Sequence, residues 1–212
     1  MRGLYPIIDL CALDARGCDP LKVAALVVEV RPPLLQLRAK HAPARQVLDM
    51  LRALRPICEG AGTQLFANDR PDLAILGGCD GVHVGQEDPS ASEIRRLAPS
   101  LRVGVSTHDL VQLDRALADR PDYVAFGPVF GTTSKQRPDP EVGIEGLQQA
   151  STKARDARIP LVAIGGITLE RAARVAEFAE LGATISALLS KGVGPRDIVE
   201  QARRLHSTFG GR

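Results

Sequence analysis

The feature that most narrows the choice of fold is an alternation repeated eight times. A short apolar, β-branched run is followed by a longer stretch of helical periodicity, and the pattern keeps its character along all 212 residues. The spacing predicts strands at 4–9, 34–37, 64–67, 81–84, 101–105, 123–126, 161–164 and 184–189. It predicts helices near 20–30, 42–59, 72–76, 90–97, 110–118, 143–157, 169–180 and 195–206. Eight such units point to a single α/β domain over residues 1–212, a closed (β/α)8 TIM barrel, which is a usual size for that fold. A doubly wound open sheet is the competing solution. It usually has five or six strands, and no Gly-x-Gly-x-x-Gly follows the first run here.

Composition then removes several functions. With 44% hydrophobic and 25% charged residues the chain can bury a core, which excludes wholesale disorder. A formal charge of +2 and seven aromatic rings (Tyr 2, Phe 5, Trp 0) provide neither the basic surface nor the stacking platform of a nucleic-acid binder. No apolar run approaches the roughly 18 residues of a membrane span, and the start lacks the apolar segment of an export signal. Cys11, Cys18, Cys58 and Cys79 form no Cys-x-x-Cys pair, which fits a reducing, cytoplasmic setting. Oligomeric state is left open, a homo-oligomer included.

In a (β/α)8 barrel the reactive groups come from the C-terminal ends of the strands. Strand alternation in Gln36-Leu37-Arg38-Ala39-Lys40 sends Gln36, Arg38 and Lys40 to one side. Inward cations are costly unless an anion meets them, so this side suits a phosphorylated ligand; the plainer reading is a solvated rim. Asn68 and Asp69 end the third run, and Asp88 follows the fourth. Two carboxylates beside two cations suit Mg²⁺ bound to a diphosphate. Taken singly, each aspartate reads more simply as a helix cap. Ser106, Thr107 and His108 follow the fifth run. Gly165-Gly166 and Ser190-Lys191-Gly192 are small-residue turns where backbone N–H groups can meet a second anion, or simply tight connections. The long Gly- and Pro-rich segment 127–140 carries Thr132, Ser134 and Lys135 and reads as an active-site loop. His83 is more simply structural, and His41 and His206 read as surface residues.

Taken in order, these segments resemble the thiamine phosphate synthase family over nearly the whole chain. The resemblance is carried by 4–9 (LYPIID), 36–40 (QLRAK), 66–70 (FANDR), 81–88 (GVHVGQED), 104–108 (GVSTH), 127–130 (GPVF) with 132–135, and 163–167 (AIGGI). It implies a transferase that joins 4-amino-2-methyl-5-hydroxymethylpyrimidine diphosphate to 4-methyl-5-(2-phosphoethyl)thiazole by a dissociative route, releasing diphosphate. It also implies that Arg38, Lys40, Asn68 and Lys135 hold the diphosphate and that Asp69 and Asp88 hold Mg²⁺. Gln36 and Ser106 then face the pyrimidine, while Thr132, Ser134, Gly166, Leu189 and Ser190 bind the thiazole phosphate. Within that set Arg38, Lys40, Ser106 and Lys135 are the catalytic candidates. The chain departs from the family pattern at Ile8 (usually Thr), Ala39 (commonly Glu), Ser134 (usually Thr) and 184–187. Two other functions remain: a thiazole tautomerase of the same superfamily, which typically lacks the metal and diphosphate groups, and a non-catalytic barrel that binds thiamine precursors.

Overall fold

A computed structural model describes residues 1–131, 140–185, 187–189 and 194–211. Eight parallel strands close into a barrel in sequence order: β1 (Gly3–Asp9), β2 (Leu34–Arg38), β3 (Gln64–Asn68), β4 (Gly81–Val84), β5 (Arg102–Thr107), β6 (Tyr123–Phe126), β7 (Leu161–Ile164) and β8 (Leu181–Thr184). The last strand pairs with the first, Gly3 to Pro6 opposite Leu181 to Thr184. Helices α1 (Leu10–Asp14), α2 (Pro20–Val27), α3 (Ala44–Ala61), α4 (Pro71–Leu76), α5 (Ala91–Leu97), α6 (Leu110–Ala118), α7 (Gly143–Ala157), α8 (Leu169–Ala176) and α9 (Pro195–Thr208) cover the outside. The chain is a single-domain (β/α)8 barrel, as the eightfold alternation predicts.

Strand alternation divides the apolar side chains between two cores. Leu4, Ile8, Leu35 and Leu37 face outward into the large core beneath the helices. Tyr5, Ile7, Leu34, Phe66, Tyr123 and Val162 point inward and fill the barrel. That filling dictates glycine at position 104, because a Cβ there would stand 2.0 Å from the Tyr123 ring. Gly104→Ala is therefore expected to cost about 2 kcal/mol by overpacking, lowering Tm by about 4–8 °C for a domain of this size, measurable by thermal denaturation.

Local sequence sets the helix starts. Asp19 caps α2 through Leu21 N and Lys22 N with Pro20 behind it. Ser90 and Glu93 form a reciprocal capping box on α5. No described helix is long and apolar enough to cross a membrane.

Four features differ from the sequence expectation. The eighth strand lies at Leu181–Thr184 rather than 184–189, and α8 stops at Ala176 rather than 180. A repeated acidic clamp explains the register. Asp80, just before β4, accepts Leu65 N of β3; Asp122, before β6, accepts Val103 N of β5; Glu180, before β8, accepts Leu161 N of β7, all at 2.8–2.9 Å. Glu180 thus marks where β8 begins, and barrel closure overrides the stronger β-propensity of the residues beyond. Helix α1 was not expected; the Asp9 side chain starts it by accepting Ala12 N. His206 is buried rather than on the surface, and its Nδ1 accepts Leu4 N at 3.2 Å.

Candidate functional site

The C-terminal strand ends enclose a cleft of about 400 Å³ that Gln36, Arg38, Lys40, Asn68, Asp69 and Asp88 line together. Inward parity along β2 brings Gln36 and Arg38 there, as the sequence requires. Arg38 does not stand alone: its guanidinium is ion-paired with Asp9, a carboxylate only 4% exposed at the end of β1. Asp9 therefore holds two jobs, orienting Arg38 and capping α1. Sequence reasoning missed it because it closes an apolar strand; the signal was its inward parity with Tyr5 and Ile7.

Asp69 sits at φ 62°, the left-handed region that non-glycine residues seldom adopt. Its N–H donates to His83 O at 2.8 Å, and its carboxylate lies 3.4 Å from Lys40 Nζ. Strained backbone is thus spent on turning a carboxylate toward the cleft. Burial raises the Asp69 carboxyl above its ordinary value, Lys40 opposes that shift, and Asp88 adds to it. The two aspartates are close enough to repel. Asp88 accepts Gly85 N at 2.7 Å, which pins the loop that bears it. Neither caps a helix: Arg70 stands at the start of α4 without a side-chain cap bond, and Ser90 caps α5. The helix-cap reading of both aspartates is therefore overturned.

A second compartment of about 130 Å³ adjoins the first, formed by Gly127, Gly165, Gly166, Ile167 and Thr168. Ser106, His108, Ile164, Ala183 and Ile185 line both spaces. Ser106 O accepts Gln86 Nε2 at 2.7 Å, and the His108 ring is bonded through Nδ1 to Gly127 O at 2.7 Å, so both polar members of the shared lining are held in place. Gly166 has φ 63°, and a Cβ on it would stand 2.7 Å from Gly131 O, so a side chain is excluded on both counts. Leu189 is buried away from these linings and gives its carbonyl to Arg16 Nε at 3.1 Å. Thr132, Ser134, Lys135 and Ser190 lie outside the described residues.

Fold and site define a (β/α)8 barrel with two adjoining pockets, one ringed by paired carboxylates and cations, the other by glycine backbone. Residues 4–206 match the thiamine monophosphate synthase family. The thiamine-phosphate synthase of Anaeromyxobacter dehalogenans is 38% identical over 208 residues, 98% of this chain and 87% of that protein. That of Myxococcus xanthus is 40% identical over 209 residues, covering 98% and 92%. The solved thiamine phosphate pyrophosphorylase from Pyrococcus furiosus superposes with a TM-score of 0.84 at 27% identity, over 98% of this chain and 95% of that one. The chain belongs to the thiamine monophosphate synthase family.

Proposed function

We propose that the two compartments hold two phosphorylated substrates side by side. The wider cleft takes 4-amino-2-methyl-5-hydroxymethylpyrimidine diphosphate, the narrower pocket 4-methyl-5-(2-phosphoethyl)thiazole, and Mg²⁺ assists at the first. Family membership makes the chain a transferase that forms thiamine phosphate. The observation that carries the pairing of sites is the lining the two spaces share, Ser106 and His108 among it. The cleft that carries the side-chain cations thus adjoins the pocket that carries the glycine backbone, and two different phosphates bound there would have their reacting ends adjacent.

Asp69 and Asp88 would hold Mg²⁺. The donor set fits: Asp69 and Asp88 line one cleft, and Mg²⁺ ordinarily takes one or two carboxylates with phosphate and water completing its shell. Burial, chiefly, and Asp88 after it raise the Asp69 carboxyl against the opposing Lys40, so a further cation at the two carboxylates would favour their charged forms. When bound, the ion supplies positive charge to a departing diphosphate. The protein's own residues do the rest. Arg38, Lys40, Asn68 and Lys135 bind the diphosphate and stabilise the charge it gathers as the C–O bond breaks. Gln36 and Ser106 orient the pyrimidine, whose methylene carbon becomes cationic. Thr132, Ser134, Gly166 and Ser190 hold the thiazole phosphate so that the ring nitrogen captures that carbon. No nucleophile or base from the chain enters the balance. We place this work in the cytoplasm, in keeping with four free thiols.

Mixing both precursors with Mg²⁺ should yield thiamine phosphate and diphosphate in equal amounts. Folded protein that binds both and releases neither product would leave a precursor-binding barrel, and conversion of a thiazole carboxylate isomer alone would make it a tautomerase. Metal binding has its own readout. A carboxyl with a raised pKa favours the folded state while protonated, so its stabilisation is present below pH about 4 and lost as pH rises through the raised value. Mg²⁺ relieves the repulsion that remains, so the Tm increase on adding millimolar Mg²⁺ should be several degrees at pH 7.5 and near zero at pH 4. An equal shift at both pH values would remove the aspartates from metal binding.

A further inference from the structure

Three consecutive carbonyls at the end of β7 are tied to partners, and the last tie comes from a side chain with no part in the reaction above. Ile164 O accepts Val129 N at 2.9 Å and Gly165 O accepts Phe130 N at 3.1 Å, both donors lying just after β6. Gly166 O accepts Arg171 Nη1 at 3.0 Å. The same guanidinium lies over the Phe130 ring, 4.6 Å from its centroid. Phe130 itself packs against the turn, since a Cβ on Gly166 would stand 2.7 Å from the Phe130 Cβ. The three ties thus gather on one side.

Peptide geometry gives these ties a consequence. The peptide bonds between residues 164 and 167 are trans, and across a trans peptide the C=O and the following N–H point in opposite directions. Holding the oxygens of residues 164–166 toward Val129, Phe130 and Arg171 therefore turns the N–H groups of Gly165, Gly166 and Ile167 the other way. All three residues line the narrow pocket, with φ 98° at Gly165 and 63° at Gly166. Successive N–H groups facing one concavity make an anion site. Arg171 is exposed and stands in the first turn of α8, where the helix dipole disfavours a cation. The Gly166 carbonyl and the Phe130 ring offset that cost.

We propose that Arg171 is a positioning residue for the narrow pocket: by holding the Gly166 carbonyl back beside Phe130, it aims the Ile167 N–H at the phosphate of the thiazole substrate. This rests on the reading above that the narrow pocket takes that substrate. The first two ties are main chain to main chain, so Arg171 is the one a side-chain substitution removes. Its planar guanidinium stacks on the ring and donates to the carbonyl at once, which the ammonium of lysine does not do. A lysine there keeps the charge and loses the tie.

The test is calorimetric binding of 4-methyl-5-(2-phosphoethyl)thiazole and, separately, of 4-amino-2-methyl-5-hydroxymethylpyrimidine diphosphate to the whole protein and to two variants, Arg171→Ala and Arg171→Lys. Both variants should bind the thiazole phosphate about tenfold more weakly, the usual scale for one lost hydrogen bond to a charged group. Pyrimidine diphosphate affinity should stay within about twofold, and Tm within about 2 °C, as for an exposed side chain. Steady-state kinetics should show the loss in KM for the thiazole phosphate, with kcat unchanged. A loss below about fivefold in Arg171→Ala, half the expected effect, overturns the inference. So does wild-type affinity in Arg171→Lys, which would leave only the attraction of a surface charge, and so does an equal loss for both ligands, the mark of a structural role. Wild type that binds no thiazole phosphate overturns the reading of the pocket itself, a result distinct from these.

Discussion

Asp69→Asn is expected to lower kcat/KM for thiamine phosphate formation by about 10²–10³-fold, the usual cost of losing one group that stabilises developing charge, while thiazole phosphate affinity stays within about twofold. Asparagine is the informative replacement because the residue sits at φ 62°, where Asn is tolerated and Ala would add backbone strain of its own. The shape, the Asp69 N–H bond to His83 O and the position beside Lys40 should all persist. Only the charge goes. Steady-state kinetics with each substrate varied in turn checks the prediction, and activity within threefold of wild type would take Asp69 out of the reaction.

The second large effect concerns Asp9, whose two roles separate by substitution. Asp9→Asn keeps a cap for Ala12 N, since Asn and Asp cap almost equally well. It leaves the Arg38 guanidinium without its counter-charge in a mostly buried position. Breaking such a pair from one side typically costs about 3 kcal/mol or more. Tm should fall by about 6–12 °C, and kcat/KM by about 10²-fold, because a guanidinium held out of position costs the reaction that much. Saturating diphosphate should recover part of the lost Tm, since the anion replaces the missing charge. A variant as stable and active as wild type would reduce Asp9 to a helix cap.

Seven of the eight strands were legible because their apolar, β-branched runs are long enough to be seen without context. The eighth was not. Leu181-Gly182-Ala183-Thr184 has weak β-propensity, and what makes it a strand is pairing with Gly3–Pro6 on one side and β7 on the other. The acidic residue before each even-numbered strand from β4 onward would have placed it, since Glu180 occupies the place of Asp80 and Asp122. In the site, Gln36, Arg38 and Lys40 were legible from period-two alternation alone. Asp69 and Asp88 were legible as a pair from their places after neighbouring strands, and they do line one cleft; what the sequence hid was the backbone, since an aspartate close before a proline looks like any other cap until a left-handed turn points it inward. Tyr5 and Tyr123 read as core, and so they are.

The seam between β1 and β8 also bears on how the molecule is made. Gly3 pairs with Leu181, so the ring stays an open ribbon with bare edges until the final strand has been synthesised. Contacts of that sequence separation form slowly, and unpaired edges invite association with other chains. During translation the ribosome-bound intermediate is therefore the stage most exposed to aggregation, and the stage at which a chaperone has most to cover.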